Sequence, residues 1–585
     1  MISVNYQKRK NTKLFNKFGT VSGLNLDSVQ NYIPIYKRFF SLNESNYNSI
    51  NLNHKWYIYD VKRQSGEISN VFDAKIKNIN LEEDEAISQK VFFKFAPILD
   101  PFRYMTGKYD LTDPHLFSLP SLSDKNCHPK VLEPNNSSYI DAFFSYLSTM
   151  LNTVHSIEYY GSFIGIKNNF KINIADDLDY LIENKFFLDN TNKLFNVPDY
   201  SQYIQHFVEE EPKLKPIQIH NESRKSILSI KSINEDMFED IFEKSCEPSI
   251  IDLNDLKEMS IDLNIIETDQ LSSPSVKSMS GSSCSSRTSH TNEEKDEYSE
   301  EEMGSEEKND TNSNEASSWG TVETEEDYMN ETLYATIPKF PVQIICMEKC
   351  EDTFDSLILS NELTHNEWFS ALMQVIMTLI MYQKCFSFTH NDLHTNNVMY
   401  INTNMKHIYY HYNKQYYKVP THGRIFKLID FGRSIYKVNG KIFCSDNFEP
   451  NGDAATQYNT EPYFNEKKPR LEPNPSFDLC RLGCSMFDYL VEDLEDIKDL
   501  TKLDAITRLV VEWCLDDNGT NILYKATGVE RYPDFKLYKM IARCVHNHTP
   551  QNQLNRKEFK DFLVAKKSVP KDAYIINIDD MVSCT

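Results

Sequence analysis

The sequence predicts an α+β fold, with strands concentrated in the N-terminal part of the chain and helices in the C-terminal part. Three early segments are rich in β-branched and aromatic residues and are separated by turn residues: Lys55–Asp60, Asn70–Ile76 and Lys90–Phe95. Two later regions have apolar residues at helical spacing, the uninterrupted Glu367–Cys385 and most of residues 476–566. Strands and helices that occupy separate stretches of the chain are typical of the α+β class.

Local patterns predict three further elements. Asp141–Val154 has apolar residues on one stripe and is predicted to be a helix. Ile157–Ile174 is predicted to be a β-hairpin that turns at residues 167–169, where the sequence is Lys-Asn-Asn. Pro341–Met347 is a short apolar run, which predicts a buried strand.

The negative charge of the chain is concentrated in one polar region. The 585 residues include 62 Lys and Arg against 86 Asp and Glu, a net charge of −24. Glu293–Glu331 contains 16 acidic residues and 2 lysines, and Ser272–Ser289 contains 10 serines. Such a composition cannot bury enough apolar surface to offset the entropy cost of ordering. We therefore predict that at least residues 270–330 are disordered.

Charge and hydropathy exclude several kinds of partner. An acidic chain is a poor general binder of nucleic acid or anionic membranes. Residues 1–20 form a basic arm without acidic residues, which we predict to be a solvated tail, with docking to an anionic partner as the alternative. No segment has the pattern of a signal peptide, and the longest apolar run, Ala371–Tyr382, is too short to span a bilayer. We expect an intracellular, cytoplasmic protein with no membrane span and no specific nucleic-acid partner.

Two motifs carry the strongest chemical signal. The block His390–Val398 has the sequence HNDLHTNNV, and an apolar strand ending in Asp430-Phe431-Gly432 follows about thirty residues later. Phosphoryl transfer needs one carboxylate to orient and deprotonate the attacking hydroxyl, and an amide and a second carboxylate to hold metal ions. Asp392, Asn397 and Asp430 have the types and spacing for these roles.

These motifs resemble those of the protein kinase family, and upstream residues match the family in order. Lys94 stands where the family has the strand lysine that steadies the α- and β-phosphates. Residues 66–74 resemble a degraded glycine-rich loop in which Gly66 and the adenine-covering Val71 remain. Three residues, Met347, Glu348 and Cys350, fall at the hinge position, with Met347 as gatekeeper, and Asp478 matches the aspartate that ties down the catalytic loop.

The resemblance implies a bilobal fold, in which a small antiparallel β N-lobe with one helix and a large, mainly α-helical C-lobe enclose ATP and Mg²⁺ or Mn²⁺. Divergent motifs and an Asn-, Tyr- and Ile-rich style are similar to kinases of large nucleocytoplasmic DNA viruses, which would place the protein in host cytoplasm or a virion. The implied units are a basic extension (1–50), the first part of the N-lobe (51–177), a largely disordered insertion (178–335), the last N-lobe strand and hinge (336–350), the C-lobe (351–566) and a tail (567–585).

Several positions depart from the family pattern. Asn391 replaces the arginine that often pairs with a phosphate on the activation segment, so we predict activity without phosphorylation there. His394 replaces a lysine and could neutralise the transferred phosphoryl group only if it were protonated. The helix expected to supply a glutamate partner for Lys94 has none. Asp141 is the nearest acid and could equally be a helix cap. Lys427 and Arg433, which flank the second motif, are interpreted as surface charges.

Three functions remain open from the sequence. The leading one is a Ser/Thr protein kinase that uses ATP and acts on protein substrates, including itself. Ser/Thr is preferred because the loop lacks the arrangement of tyrosine kinases. A small-molecule phosphotransferase of the aminoglycoside or choline kinase type is the first alternative, favoured by His394. A pseudokinase scaffold is the second, favoured by the missing loop glycines. The oligomeric state cannot be deduced.

Overall fold

The computed structural model describes residues 3–64, 70–80, 86–122, 126–200, 333–361, 363–533 and 535–585. In chain order its strands are β1 (Tyr6–Lys8), β2 (Leu26–Gln30), β3 (Ile50–Leu52), β4 (Trp56–Gln64), β5 (Val71–Asn78), β6 (Ile87–Pro97), β7 (Tyr159–Asn173), β8 (Tyr334–Glu348), β9 (Asp352–Thr353), β10 (Val398–Asn402), β11 (His407–Tyr412), β12 (Gln415–Pro420), β13 (Arg424–Leu428), β14 (Ile435–Val438), β15 (Lys441–Cys444), β16 (Leu563–Val564) and β17 (Ile575–Asn577).

Short 3₁₀ turns separate some of the helices and strands. The α-helices in chain order are α1 (Thr12–Thr20), α2 (Pro101–Met105), α3 (Pro129–Leu132), α4 (Ser137–Met150), α5 (Leu178–Glu183), α6 (Lys185–Asn190), α7 (Phe354–Leu359), α8 (His365–Phe386), α9 (Phe477–Leu490), α10 (Ala505–Trp513), α11 (Lys536–Cys544), α12 (Pro550–Gln553) and α13 (Lys557–Lys560).

A six-stranded antiparallel sheet organises the N-terminal part, with strand order β2-β7-β8-β6-β5-β4. The three predicted early strands are β4, β5 and β6, and the predicted apolar strand is the centre of β8. The C-terminal part is mainly helical around α8 and α9, most of whose side chains are buried. The predicted α+β class is therefore confirmed.

The N-terminal arm is part of the fold, and the prediction of a solvated tail is wrong. Helix α1 buries Leu14 and Phe18, and the Phe18 ring packs edge-to-face against Phe93 of β6 with centroids 5.7 Å apart. Strand β2 adds an edge strand to the sheet beside β7. Basic residues alternate with these apolar ones, so the arm is amphipathic, and its apolar side covers one face of the sheet.

The predicted hairpin over residues 157–174 is wrong, because Tyr159–Asn173 form one long strand, β7. Strand β7 keeps one register with β8 from Gly161 opposite Cys346 to Asn173 opposite Tyr334. The Lys-Asn-Asn sequence contains a residue with positive φ, Asn169 at 52°, but the strand continues through it. Pairing along the whole length of β8 outweighs a local sequence that is typical of turns.

The predicted disordered insertion begins with folded chain. Helices α5 and α6 bury Leu181 and Phe187, and Asn196 forms an isolated antiparallel bridge with Thr336 of β8. The serine-rich and acidic tracts lie outside the described residues.

The C-terminal residues after 566 also pack on the body of the protein, against the expectation of a tail. Strand β17 pairs in parallel with β11, and Lys384 of α8 donates to the backbone oxygens of Ile578 and Asp579. In the described ranges one helix, α8, is long and apolar enough to cross a membrane, but 89% of its apolar window is buried in the fold. A buried core helix passes the same test of length and composition.

Candidate active site

Lys94 connects the N-terminal sheet to the predicted metal aspartate. Its Nζ lies 2.7 Å from Oδ2 of Asp141 on α4 and 2.8 Å from Oδ1 of Asp430. Burial by itself would lower the pKa of Lys94, but the two carboxylates outweigh it and raise that pKa above its usual range. Lys94 is therefore a fixed cation between two carboxylates.

Asp141 is the partner of Lys94 and not a helix cap. The cap of α4 is Asn136, whose side chain accepts from the amide of Ser138. Asp141 is 3% exposed, and its other oxygen, Oδ1, accepts from the amide of Phe431 over 2.9 Å. One carboxylate thus ties Lys94, α4 and the Asp-Phe-Gly segment together.

Asp478, at the start of α9, fixes the backbone of the HNDLHTNNV block by two hydrogen bonds. The Asp478 carboxylate accepts from the amides of His390 (2.9 Å) and Asn391 (3.0 Å). The His390 ring is buried and its Nε2 hydrogen-bonds the Ile429 backbone oxygen over 2.9 Å. Asn391 adopts a φ of 64°, in the left-handed region that asparagine tolerates better than most residues with a side chain. These contacts give His390 a structural position.

Asp392 lies among cationic and hydroxyl groups. Its Oδ1 accepts from the Tyr538 hydroxyl over 2.9 Å and lies 4.0 Å from Nη1 of Arg433. Burial alone would raise the pKa of Asp392, but Arg433, His394, Arg481 and the hydrogen bond from Tyr538 together outweigh it, and the pKa falls to about 2. The side chain is therefore an ionised carboxylate at neutral pH.

Asn397 and Asp430 could hold a metal ion. The Asn397 backbone oxygen accepts from the Ile429 amide over 3.0 Å, which brings the two residues together, and Asp430 has a φ of 61° and a side chain that is 48% exposed. In the described part of the chain no group of three or more His, Cys, Asp or Glu could hold a metal. Amide and carboxylate oxygens suit Mg²⁺, which usually completes its shell with waters and phosphate oxygens. The donor set fits that ion.

His394 is a neutral residue in this site. Burial lowers its pKa to about 4, and its Nε2 lies 3.1 Å from Nδ2 of Asn397. The Nε2 of a neutral imidazole accepts a hydrogen bond from the side-chain amide of Asn397. The same amide also donates to the Asp392 backbone oxygen over 2.9 Å. His394 therefore does not carry the charge that would neutralise a phosphoryl group, and it helps to orient the Asn397 amide instead.

A row of side chains on the sheet faces the same side as Lys94. Val71 of β5 lies opposite Phe92 of β6, which lies opposite Met347 of β8. Directly paired residues and residues two apart along a strand share a face. Val71, Met347 and Lys94 therefore share one face, while Gly66, which was predicted to contact nucleotide, lies outside the described residues.

The side chain of Glu348, one of the predicted hinge residues, forms an ion pair with Lys427. Its Oε1 accepts from Lys427 Nζ and, over 2.7 Å, from the amide of Glu158. Lys427 is 3% exposed and also donates to the Ser156 backbone oxygen over 2.8 Å. The side chain of Glu348 is therefore tied to Lys427 and to the chain just before β7, and its own amide donates to the Glu158 backbone oxygen over 2.9 Å. Cys350, two residues on, is buried.

The segment after Asp-Phe-Gly is anchored to the N-terminus of α4 by Asp446. Its carboxylate accepts from the Ser137 amide over 2.9 Å and lies 3.1 Å from Lys130 Nζ, and its own amide donates to the Asn135 oxygen over 2.8 Å. Arg38, in the N-terminal extension (1–50), donates to the side chain of Asn135 (2.8 Å) and to the Ile442 oxygen (2.7 Å). The N-terminal extension, α4 and the segment after Asp-Phe-Gly are thus joined at one place.

Comparison with family models and with curated proteins gives no relative for this chain. No family model matches it, and no curated protein matches it. The geometry of the site is therefore the basis for any statement about function.

Sequence reasoning missed several residues of the site. Lys427 and Arg433, interpreted as surface charges, are 3% and 8% exposed and contact Glu348 and Asp392 respectively. Tyr538 follows Asp392 by 146 residues and lies in no motif, so no local signal pointed to it. The position of Arg433 next to the Asp-Phe-Gly motif was the one available indication of its role.

Proposed function

We propose that this protein is an ATP-dependent Ser/Thr protein kinase of bilobal kinase-like architecture, with Mg²⁺ or Mn²⁺ as the metal. The observation that carries the proposal is the position of Lys94 Nζ, which lies 2.7 Å from a carboxylate oxygen of Asp141 and 2.8 Å from one of Asp430. Asp392 and Asn397, joined by a 2.9 Å hydrogen bond, adjoin this group through the backbone bond to Ile429.

Each of these residues has a task in phosphoryl transfer. Lys94 is held charged and positioned to bind phosphate oxygens on the face that also carries Val71 and Met347. Asn397 and Asp430 would hold the metal ion, which supplies charge neutralisation when bound. Asp392, ionised at neutral pH, orients the acceptor hydroxyl and takes its proton.

The pseudokinase alternative has less support from this geometry. A scaffold has no need to hold Lys94 between two carboxylates, or to place an ionised Asp392 beside Asn397. The small-molecule alternative rested on His394, and a neutral His394 hydrogen-bonded to Asn397 serves either acceptor class. The nature of the acceptor therefore has to be measured.

The test is transfer of the γ-phosphate of labelled ATP, with Mg²⁺ or Mn²⁺, by wild type and by the Asp392→Asn variant. We expect the variant to lose at least about a hundredfold in rate, since general-base groups contribute this much. The matched control is Asp496→Asn, because Asp496 is an exposed carboxylate of the same C-terminal part. Equal rates for wild type and Asp392→Asn would refute the proposal.

The acceptor class is decided in the same assay with a panel of substrates. Phosphorylation of a basic protein, or of the chain itself, supports a protein kinase, and mapping should then find the label on Ser or Thr. Transfer confined to small alcohols would replace the protein kinase by the small-molecule phosphotransferase.

A further inference from the structure

The carboxylate of Asp392 is held by side chains that are remote from it in the chain. The Tyr538 hydroxyl donates to Oδ1 of Asp392 over 2.9 Å and accepts from Nε of Arg481 over 3.0 Å. Tyr538 belongs to α11 and Arg481 to α9, so two helices of the C-terminal part meet at the proposed base.

These two side chains have little freedom to move. Tyr538 is 1% exposed and Arg481 is 2% exposed. The Tyr538 ring stacks on Phe535 with centroids 5.1 Å apart, and the guanidinium groups of Arg433 and Arg481 lie 5.6 Å and 5.2 Å from its centre. Because these neighbours hold the Tyr538 ring, its hydroxyl stays at one point. The hydroxyl in turn fixes the Asp392 oxygen that accepts its hydrogen bond.

We propose that Tyr538 and Arg481 are positioning residues that turn the Asp392 carboxylate toward the phosphoryl acceptor; this inference rests on the proposed function. In the described part of the chain, the hydrogen bond from Tyr538 and the ionic contact with Arg433 are both made to Oδ1 of Asp392. Oδ2 is then the oxygen that receives the acceptor's hydrogen bond. As the acceptor oxygen bonds to the γ-phosphorus, the bond from phosphorus to the bridging oxygen breaks, ADP leaves, and the hydroxyl proton passes to Oδ2.

The position of the Asp392 carboxylate should affect the rate strongly. A reacting group has to be held near its attack position, and a misplacement of about 1 Å can cost about a hundredfold in rate. A hydrogen bond to an ionised group is also stronger than one between neutral groups. The Tyr538 hydroxyl meets both conditions, since it donates to the ionised Asp392 from a buried position.

The first experiment compares the kinetics of the Tyr538→Phe variant with those of wild type. This variant keeps the ring and removes only the hydroxyl, so we expect kcat to fall about tenfold to a hundredfold. KM for ATP should stay unchanged, because the Lys94 side of the site is untouched. The matched control is Tyr524→Phe, which removes a 2.8 Å hydroxyl bond to Asp488 away from the site and should leave kcat unchanged.

The second experiment needs no activity. Unfolding by denaturant is measured for wild type, Asp392→Ala, Tyr538→Phe and the double variant. Because the Tyr538 hydroxyl donates to Asp392, we expect Tyr538→Phe to lower the free energy of unfolding less in the Asp392→Ala background than in wild type. Equal losses in both backgrounds would overturn the proposal.

The outcomes separate the two proposals. Absence of transfer by wild type overturns the proposed function itself. Transfer by wild type with an unchanged kcat for Tyr538→Phe overturns only the positioning role. A fall in kcat with constant KM for ATP, together with non-additive stability, supports both.

Discussion

His394 shows how the surroundings of a single residue decide its chemistry. A histidine next to an aspartate would often be protonated near neutral pH. Here burial dominates, the pKa of His394 falls to about 4, and the ring is 4% exposed beside Asn397. The residue therefore contributes a hydrogen-bond acceptor to the site and no charge.

This state of His394 predicts that the rate of the proposed phosphoryl transfer does not depend on the ionisation of His394. The His394→Gln variant retains an acceptor for the Asn397 amide, so we expect a loss in kcat of less than about tenfold, the worth of one neutral hydrogen bond. The pH dependence of kcat should be the same in wild type and variant between about pH 5.5 and 8, because a group with a pKa near 4 is already neutral there. A wild-type rate that rises on acidification through this range, and does not rise in the variant, would contradict the prediction.

Helix α4 depends on neighbouring elements for its position. Its own contribution is Asp141, but its N-terminus is fixed by Asp446 from the segment after Asp-Phe-Gly and by Lys130 of α3. Asp446 is 1% exposed, and burial raises its pKa while Lys130 and the Ser137 amide oppose the rise. The group that anchors α4 is the carboxylate of Asp446, so α4 is held in this position without a phosphorylated residue in the segment after Asp-Phe-Gly.

Breaking this anchor should destabilise the protein measurably. Lys130→Met leaves a buried carboxylate without its cation, which typically costs about 3 kcal/mol of unfolding free energy. The double variant Lys130→Met with Asp446→Asn should lose less, because no buried charge is left unbalanced. Denaturant unfolding measures both values.

The control for that experiment is Lys502→Met. Lys502 pairs with Asp499 at 3.3 Å, with the side chains 80% and 44% exposed, so the loss should be below about 1 kcal/mol. Equal losses for Lys130→Met and Lys502→Met would show that Asp446 is not an anchor.

The elements also show what sequence patterns can and cannot predict. Strands β4 to β6, helix α4 and helix α8 follow from local periodicity, which depends on residues close in the chain. Motif spacing singled out Asp392, Asn397 and Asp430, which the structure brings near one another. The pairing of Tyr538 with Asp392, the burial of Lys427 and the docking of α1 depend on contacts between distant residues. No local pattern carries that information.

The N-terminal and C-terminal parts of the whole molecule meet at His155. This residue is fully buried. Its Nδ1 hydrogen-bonds the Phe426 backbone oxygen of β13 over 2.8 Å, and its Nε2 hydrogen-bonds the Tyr410 hydroxyl of β11 over 2.6 Å. Burial lowers the pKa of His155 to about 4. A neutral ring therefore joins the loop before β7 to two strands of the C-terminal part.

Because the buried His155 ring is neutral, we expect the free energy of unfolding to fall in mild acid. The unfolded chain takes up a proton at His155 near its ordinary pKa of 6.5, and the folded chain only near 4. Stability is therefore fully present above about pH 6.5 and is lost as pH falls toward 4, by up to about 3 kcal/mol. Unfolding free energy measured from pH 7 to 4.5 should show this slope, and His155→Gln should reduce it by about 1 kcal/mol per pH unit near pH 5.5.

An exposed histidine supplies the comparison for that experiment. His115→Gln changes a residue on the surface, and the pH slope should stay as in wild type. A slope that is the same in wild type and His155→Gln would show that protonation of His155 does not limit acid stability.

The bridge between Asn196 and Thr336 has a consequence for the order of folding. Roughly 140 residues separate these two positions, yet the bridge places Asn196 directly beside Thr336 of β8, which also pairs with β7. Loop-closure entropy grows only as the logarithm of loop length, so closing this loop costs about 2 kcal/mol more than closing one of about ten residues. Strand β8 pairs with β6 and β7, which both precede this loop, so β8 can take its place at the centre of the six-stranded sheet only once the loop has closed. Lys94 lies on β6, directly beside β8, and the sheet that carries it is therefore completed by a contact across roughly 140 residues.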